Sequence, residues 1–292
     1  MRALLTGIAS LVLSACSAVD VLNATADRSD IEIASNIAYA DGARRTLDIY
    51  QPKNAVNAPL CIFYYGGGWE SGAKENYLFV AAALAARGIV TIVPDYRVYP
   101  EVRFPDFLHD AAQAVRWAKD HAAAHGADPN RIVLAGHSAG AHIAAMLTLD
   151  KQWLNNVGLA PGDLAGMSGI AGPYDFLPLT SETLKIIFGP EHDRARTQPI
   201  NFVDGSAPPI QLITGALDLS VDPANSMRLA ARINDAGGSV ETHTYRIVGH
   251  TLVLGSVAWP LHIFAPTLDD LERFVKSVPS APATAIAGID PQ

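Results

Sequence analysis

The sequence predicts an α/β fold: a mostly parallel central sheet with helices on both faces. Two observations carry this. Short apolar, β-branched runs alternate with Ala/Leu-rich or amphipathic stretches along most of the chain. Several of the runs are continuously apolar, as strands buried on both faces must be.

The elements follow in order. Residues 45–50 alternate apolar and polar positions and read as a half-buried strand. Residues 59–65 are an apolar run followed by three glycines. Residues 76–87 read as a helix stopped by Gly88, and residues 88–93 (GIVTIV) as a strand. Phe104-Pro105 opens a helix whose Leu108, Ala111, Ala112, Val115 and Ala118 share one apolar stripe. That helix is expected to end near Gly126, with Asp128-Pro129 as a turn. Residues 132–135 form a short buried strand and residues 140–149 a helix. Further strands are expected over 164–171, 210–214 and 240–248. A helix lies near 223–236, and a last one, capped by Thr267, over 268–278. Residues 174–205 fit the alternation poorly; placed between two late strands, they read as a short lid. No repeat or second domain interrupts the unit 37–278. The Pro/Ala-rich residues 279–292 are expected to fray.

The N-terminus reads MRALLTGIASLVLSAC. One Arg precedes a short apolar run, which is the pattern of a secretory signal and too short for a permanent span. Its last four residues, Leu13-Ser14-Ala15-Cys16, resemble a bacterial lipobox, so residues 1–16 are expected to be a signal peptide with Cys16 lipidated. An ordinary signal peptide and a secreted soluble protein is the alternative. Several acyl chains on one cysteine would hold the protein at a membrane. The absence of Asp after Cys16 favours, by resemblance to Gram-negative lipoproteins, the outer membrane. Residues 17–36 are then read as a polar tether.

Composition limits the remaining possibilities. The chain has 292 residues, 49% hydrophobic and 17% charged, enough for one large globular domain. Its net charge of −8 and lack of a Lys/Arg-rich run argue against nucleic acid as a partner. The other cysteine, Cys61, sits inside an apolar run and reads as a buried free thiol.

One pentapeptide carries chemistry. Gly136-His137-Ser138-Ala139-Gly140 is a G-x-S-x-G sequence, expected about 0.1 times by chance in a chain this long. Here it joins a predicted strand to a predicted helix. Glycines at both ends permit a sharp turn that exposes Ser138 at the C-terminal edge of a parallel sheet. A serine hydroxyl needs a base, and the base needs an orienting carboxylate. With this turn the chain order is serine, acid, histidine. Asp218, after the strand 210–214, is the favoured acid, and Asp222 its rival reads as the start of the next helix. His250, after the strand 240–248, is the favoured base over His192, His243 and His262. The oxyanion hole would be built by the backbone N–H of Ala139 and of Gly67 and Gly68, in Tyr65-Gly66-Gly67-Gly68-Trp69. Trp69 and Glu70, with Tyr174, Phe176 and Leu177 of the insert, are candidate pocket residues by position. His121 and His125 are spaced i, i+4 but have no evident third ligand; they read as surface residues, and no metal or organic cofactor is expected.

Together these residues resemble the α/β-hydrolase superfamily, in the esterase/lipase branch related to hormone-sensitive lipase, over roughly residues 37–278. Gly66-Gly67-Gly68-Trp69 is similar to the oxyanion loop H-G-G-G-W. Asp95-Tyr96-Arg97-Val98-Tyr99-Pro100-Glu101 is similar to the segment D-Y-R-x-x-P-E, whose charges the resemblance makes structural. Residues 68–72, 127–132 and 138–142 look closest to small, short-lidded carboxylesterases, among them feruloyl/acetyl-xylan-type, kynurenine-formamidase-like and isoprenylcysteine-methylesterase-like enzymes. The resemblance implies a serine esterase acting on a small-molecule ester. A formamidase or peptidase on the same machinery, or a catalytically silent binding protein, are the alternatives. The chain departs from the pattern at Tyr65, where the family usually has His supporting the loop.

Overall fold

The computed structural model describes residues 18–281. In chain order its helices and strands are α1 (Ala18–Ala24), β1 (Ile31–Ala38), β2 (Thr46–Pro52), β3 (Ala58–Tyr64), α2 (Leu78–Ala86), β4 (Val90–Pro94), α3 (Asp106–His121), β5 (Ala127–His137), α4 (Ala139–Leu149), α5 (Gln152–Asn155), β6 (Gly166–Ile170), α6 (Glu182–Ile187), β7 (Ile210–Gly215), α7 (Ala224–Asp235), β8 (Val240–Tyr245), α8 (His250–Gly255) and α9 (Thr267–Ser277). The strands form one sheet in the order β1-β2-β4-β3-β5-β6-β7-β8. β1, β2 and β4 pair antiparallel; from β4 to β8 every pairing is parallel.

Burial explains the strand sequences. Leu60 to Tyr64 of β3 and Ile132 to Ala135 of β5 are fully buried. Each large apolar side chain among them contributes about 1.5–3 kcal/mol on leaving water. Edge strand β8 is only half-buried and alternates, as a sheet edge should. α3 lays its apolar stripe on the sheet, with Leu108, Ala111, Ala112, Val115 and Ala118 all buried. α4 is different: every residue from Ala139 to Leu149 is buried, so its sequence shows no polar face. α3 packs on α4, and α2 on α9. Cys61 is a free, buried cysteine, and burial pushes its thiol up to about 12.

Several boundaries differ from expectation. Within the stretch 17–36, read as a tether, the described residues 18–36 instead form α1, a connection and the start of β1. β1 is largely exposed and held by backbone pairing to β2, with Ile31 its one buried residue. α1 is fixed by Asn23, whose side chain bonds the Glu75 carbonyl and the Phe79 amide. Asp128-Pro129 is no turn but the half-exposed start of β5. Thr267 is the first residue of α9 rather than its cap, and its hydroxyl donates to the Val253 carbonyl. The expected fraying does not begin at residue 279, since buried Ala281 donates its N–H to Asn130 at 2.6 Å. The signal peptide, Cys16 and residues 282–292 lie outside the described residues.

Candidate active site

β5 ends at His137 and α4 begins at Ala139, leaving Ser138 alone at the turn with φ 55° and ψ −121°. A left-handed φ on a non-glycine residue costs free energy and marks a site that the fold over-determines. Two contacts determine it here. The Ser138 N–H donates to the Ile170 carbonyl at 2.9 Å. Gly136 and Gly140 touch: a Cβ on Gly136 would collide with the Gly140 carbonyl, and one on Gly140 with the Tyr64 carbonyl. The two glycines therefore let strand and helix close over β3.

Three side chains meet at this turn. His250 Nε2 lies 2.9 Å from Ser138 Oγ, and His250 Nδ1 lies 2.8 Å from Asp218 Oδ2. This network assigns the tautomer: Nδ1–H donates to the carboxylate, and Nε2 accepts from the hydroxyl. Asp218 follows β7, its side chain fully buried, and its Oδ1 accepts from the Ser220 and Val221 amides at 2.9 Å each. His250 was expected on a post-strand loop; it is the first residue of α8. Asp222 stands apart, accepting from the Ala224 N–H at the start of α7. Among the other histidines, His243 lies in β8, His192 is exposed in the insert, and His262 bonds the Val257 carbonyl. His121 and His125 bond Trp117 and Gln51 respectively.

The glycine loop abuts the same turn. A Cβ on Gly66 would sit 3.1 Å from Ser138 Cβ. Gly67 has φ +132° and Gly68 φ +63°, conformations that glycine adopts freely. Among the described residues, the N–H groups of Gly67, Gly68 and Ala139 donate to no backbone carbonyl. Tyr65 takes the place of the usual histidine and shows how the loop is held. Its hydroxyl donates to Asp95 Oδ1 at 2.7 Å and accepts from Arg44 Nη2 at 2.9 Å. Tyr96 donates to the Tyr65 carbonyl at 2.7 Å. Arg97 pairs with fully buried Asp110 through two 2.8 Å bonds, a structural use of the D-Y-R charges.

A cavity of about 490 Å³ opens over Ser138 and His250. Trp69, Phe176, Leu177 and Leu179 give it an apolar side, and Asp175, Asp222 and Arg228 a charged one. The insert thus supplies part of the wall. Two of the proposed pocket residues do not reach it. Glu70 is exposed and off the cavity wall, and Tyr174 is fully buried behind it.

Sequence reasoning missed two buried histidines. His137, beside the serine, directs Nε2 to the His250 carbonyl at 2.9 Å, its ring centroid 4.8 Å from that of His250. His142, on α4, bonds the Thr197 carbonyl of the insert at 2.8 Å. Burial lowers both to about 4, so both are neutral at pH 7. The unfolded chain binds their protons near 6.5. Between these values the unfolded state holds more protons, and stability falls as pH drops from about 6.5 towards 4. The loss by pH 5 is about 2 kcal/mol per residue. His142→Gln, which keeps a donor for Thr197, is expected to shrink the drop in Tm between pH 7 and pH 5. An undiminished drop contradicts the assignment.

The sheet order, the strained serine turn and the bonded Ser138–His250–Asp218 line define an α/β-hydrolase. Residues 47–233 match the BD-FAE family model, and the chain belongs to that family. It is 29% identical over 242 residues to the isoprenylcysteine alpha-carbonyl methylesterase ICME of Arabidopsis thaliana, covering 75% of this chain and 57% of that one. It is 32% identical over 216 residues to esterase LipC of Mycobacterium tuberculosis, covering 65% and 53%. The chain thus spans little more than half the length of these curated relatives. The apo structure of Thermogutta terrifontis esterase 2 has the same fold, with a TM-score of 0.71 at 24% identity, over 86% of this chain and 95% of the other.

Proposed function

We propose that the protein is a serine carboxylesterase acting on small-molecule esters through an acyl-enzyme. The observation that carries this is the unbroken hydrogen-bonded line from Asp218 through His250 to Ser138 at the floor of the cavity. Ser138 Oγ attacks the ester carbonyl while His250 Nε2 takes its proton. The tetrahedral oxyanion is held by the Gly67, Gly68 and Ala139 N–H groups. His250 then returns the proton to the leaving alcohol, and water repeats the sequence to free the acid. Asp218 holds the tautomer and stabilises the imidazolium. The esterase names of the relatives support the same reading.

The test is covalent labelling of Ser138 by a fluorophosphonate, paired with a panel of p-nitrophenyl esters, N-formyl amides and peptides. Labelling with ester turnover is expected. Labelling with turnover of amides alone would move the activity to a formamidase or peptidase, and a folded protein that takes no label would be a binding module. The oxyanion role has its own check. A Cβ on Gly67 would meet the Ser71 carbonyl, and its φ of +132° disfavours any side chain. Gly67→Ala is expected to lower kcat/KM about 10²–10³-fold.

We also infer a lipid anchor at Cys16 that places the enzyme in the bacterial cell envelope. Its support is the lipobox-like Leu13-Ser14-Ala15-Cys16 alone.

A further inference from the structure

We propose that the face built by α1 and the 3-10 turn Trp259–Phe264 rests on a lipid bilayer. The proposal extends the anchor reading for Cys16. Trp259 is 78% exposed, Ile263 84% and Val21 of α1 53%. These side chains are large, apolar and outside the catalytic cavity. The two elements that carry them adjoin. Trp259 shares a cleft with Leu22 of α1, and Leu261 of the turn shares a second, mostly apolar cleft with Ala18, Val19 and Leu22.

The occupant follows from where the chain enters this face. Ala18 lines the cleft itself, and Cys16 lies two residues before it, within about 7 Å of extended chain. A lipid carried on Cys16 therefore inserts beside the turn that carries Trp259 and Ile263. Tryptophan with an aliphatic neighbour is the chemistry of the membrane interface. Charge does not drive the contact. α1 has one acid, Asp20, and no base; the turn has only His262, whose Nε2 bonds the Val257 carbonyl. Arg87 at the edge of the first cleft pairs with Asp269 and Glu272. A zwitterionic surface suffices, and salt should not release it.

The experiment reads Trp259 directly. Trp69 and Trp153 are buried and Trp117 half-buried, so the lipid-facing emission belongs to Trp259. Full-length protein extracted from its host is reconstituted on phosphatidylcholine vesicles, with or without brominated acyl chains. The expected result is quenching by brominated lipid, insensitive to high salt and lost in Trp259→Phe. The Trp259→Ser/Ile263→Ser variant should keep its turnover of a soluble ester, showing an intact fold, and, compared in a Cys16→Ser background so that no anchor holds it, partition at least about tenfold less to vesicles. Palmitate labelling of the wild type against Cys16→Ser reads the anchor separately. Quenching without labelling supports the face and removes the anchor. Labelling without quenching, and with unchanged partition of the double variant, overturns the face. Self-association that the double variant loses, again without quenching, overturns it in favour of a second copy of the chain.

Discussion

Ser138→Ala is expected to lower kcat for a short-chain ester by about 10⁴–10⁶-fold while the protein keeps its fold. The size of the loss comes from the hydrogen-bonded line, in which each member acts through the next. Removing Oγ leaves His250 with no proton to accept at 2.9 Å. Binding in the cavity and the three amides would still give the residual rate above water. Asp218→Asn is the companion experiment. Its amide would still occupy the buried site beneath His250, but where Oδ2 now accepts from Nδ1–H it would favour the other tautomer. A loss of about 10⁴-fold in kcat is expected. Comparable pre-steady-state bursts in the wild type and Asp218→Asn would contradict the role given to the acid. Circular dichroism and Tm of both variants check that the fold persists.

Gly140→Ala is expected to damage both stability and turnover. The new Cβ would overlap the backbone of Tyr64 and approach the Tyr65 carbonyl. Neither partner can swing aside: Tyr64 lies in the fully buried central strand, and the Tyr65 carbonyl is held by Tyr96. Relief requires α4 to lift from β3. Overpacking of this kind typically costs about 1–3 kcal/mol, and rigid backbone on both sides puts it at the upper end. The same shift would move Ser138 off its Ile170 and His250 contacts, so kcat should fall at least about 10²-fold in whatever protein folds. Urea unfolding and ester turnover measured on the same preparation check both effects. Wild-type values in either would mean the helix is not clamped as described.

Much of this was legible in the sequence. The continuous apolar runs at 59–65 and 132–135 announced strands buried on both faces. G-x-S-x-G between strand and helix announced the turn, and the order Ser138, Asp218, His250 is the order that the geometry assembles. Three kinds of feature were not legible, each for a physical reason. β1 is held to β2 by backbone pairing, and its Ile31, Ile33 and Ile37 stand among exposed residues, too few buried positions to set a strand apart from a polar linker. His137 and His142 serve through long-range contacts to the His250 and Thr197 carbonyls, and their neighbours in sequence say nothing of those partners. Arg44 supports the glycine loop from 21 positions before Tyr65, with no motif to flag it. The reach of Glu70 and Tyr174 was misjudged because proximity in sequence does not fix which side of a loop a side chain takes.

The insert 174–205 has a consequence for how such a protein can change. It walls the cavity with Phe176, Leu177 and Leu179, and is tied down by Arg228 to Asp175, Asn225 to the Tyr174 and Asp175 amides, and His142 to Thr197. Among the described residues, none of the hydrogen bonds made by Ser138, Asp218 or His250 reaches it. The insert's share of the cavity wall and the Ser138–His250–Asp218 line therefore lie on different stretches of chain. On the proposed esterase reading, exchanges within residues 176–184 are expected to change which substrates the cavity admits while the Ser138–His250–Asp218 hydrogen bonds stay in place, which makes this segment the natural place for redesign of substrate range.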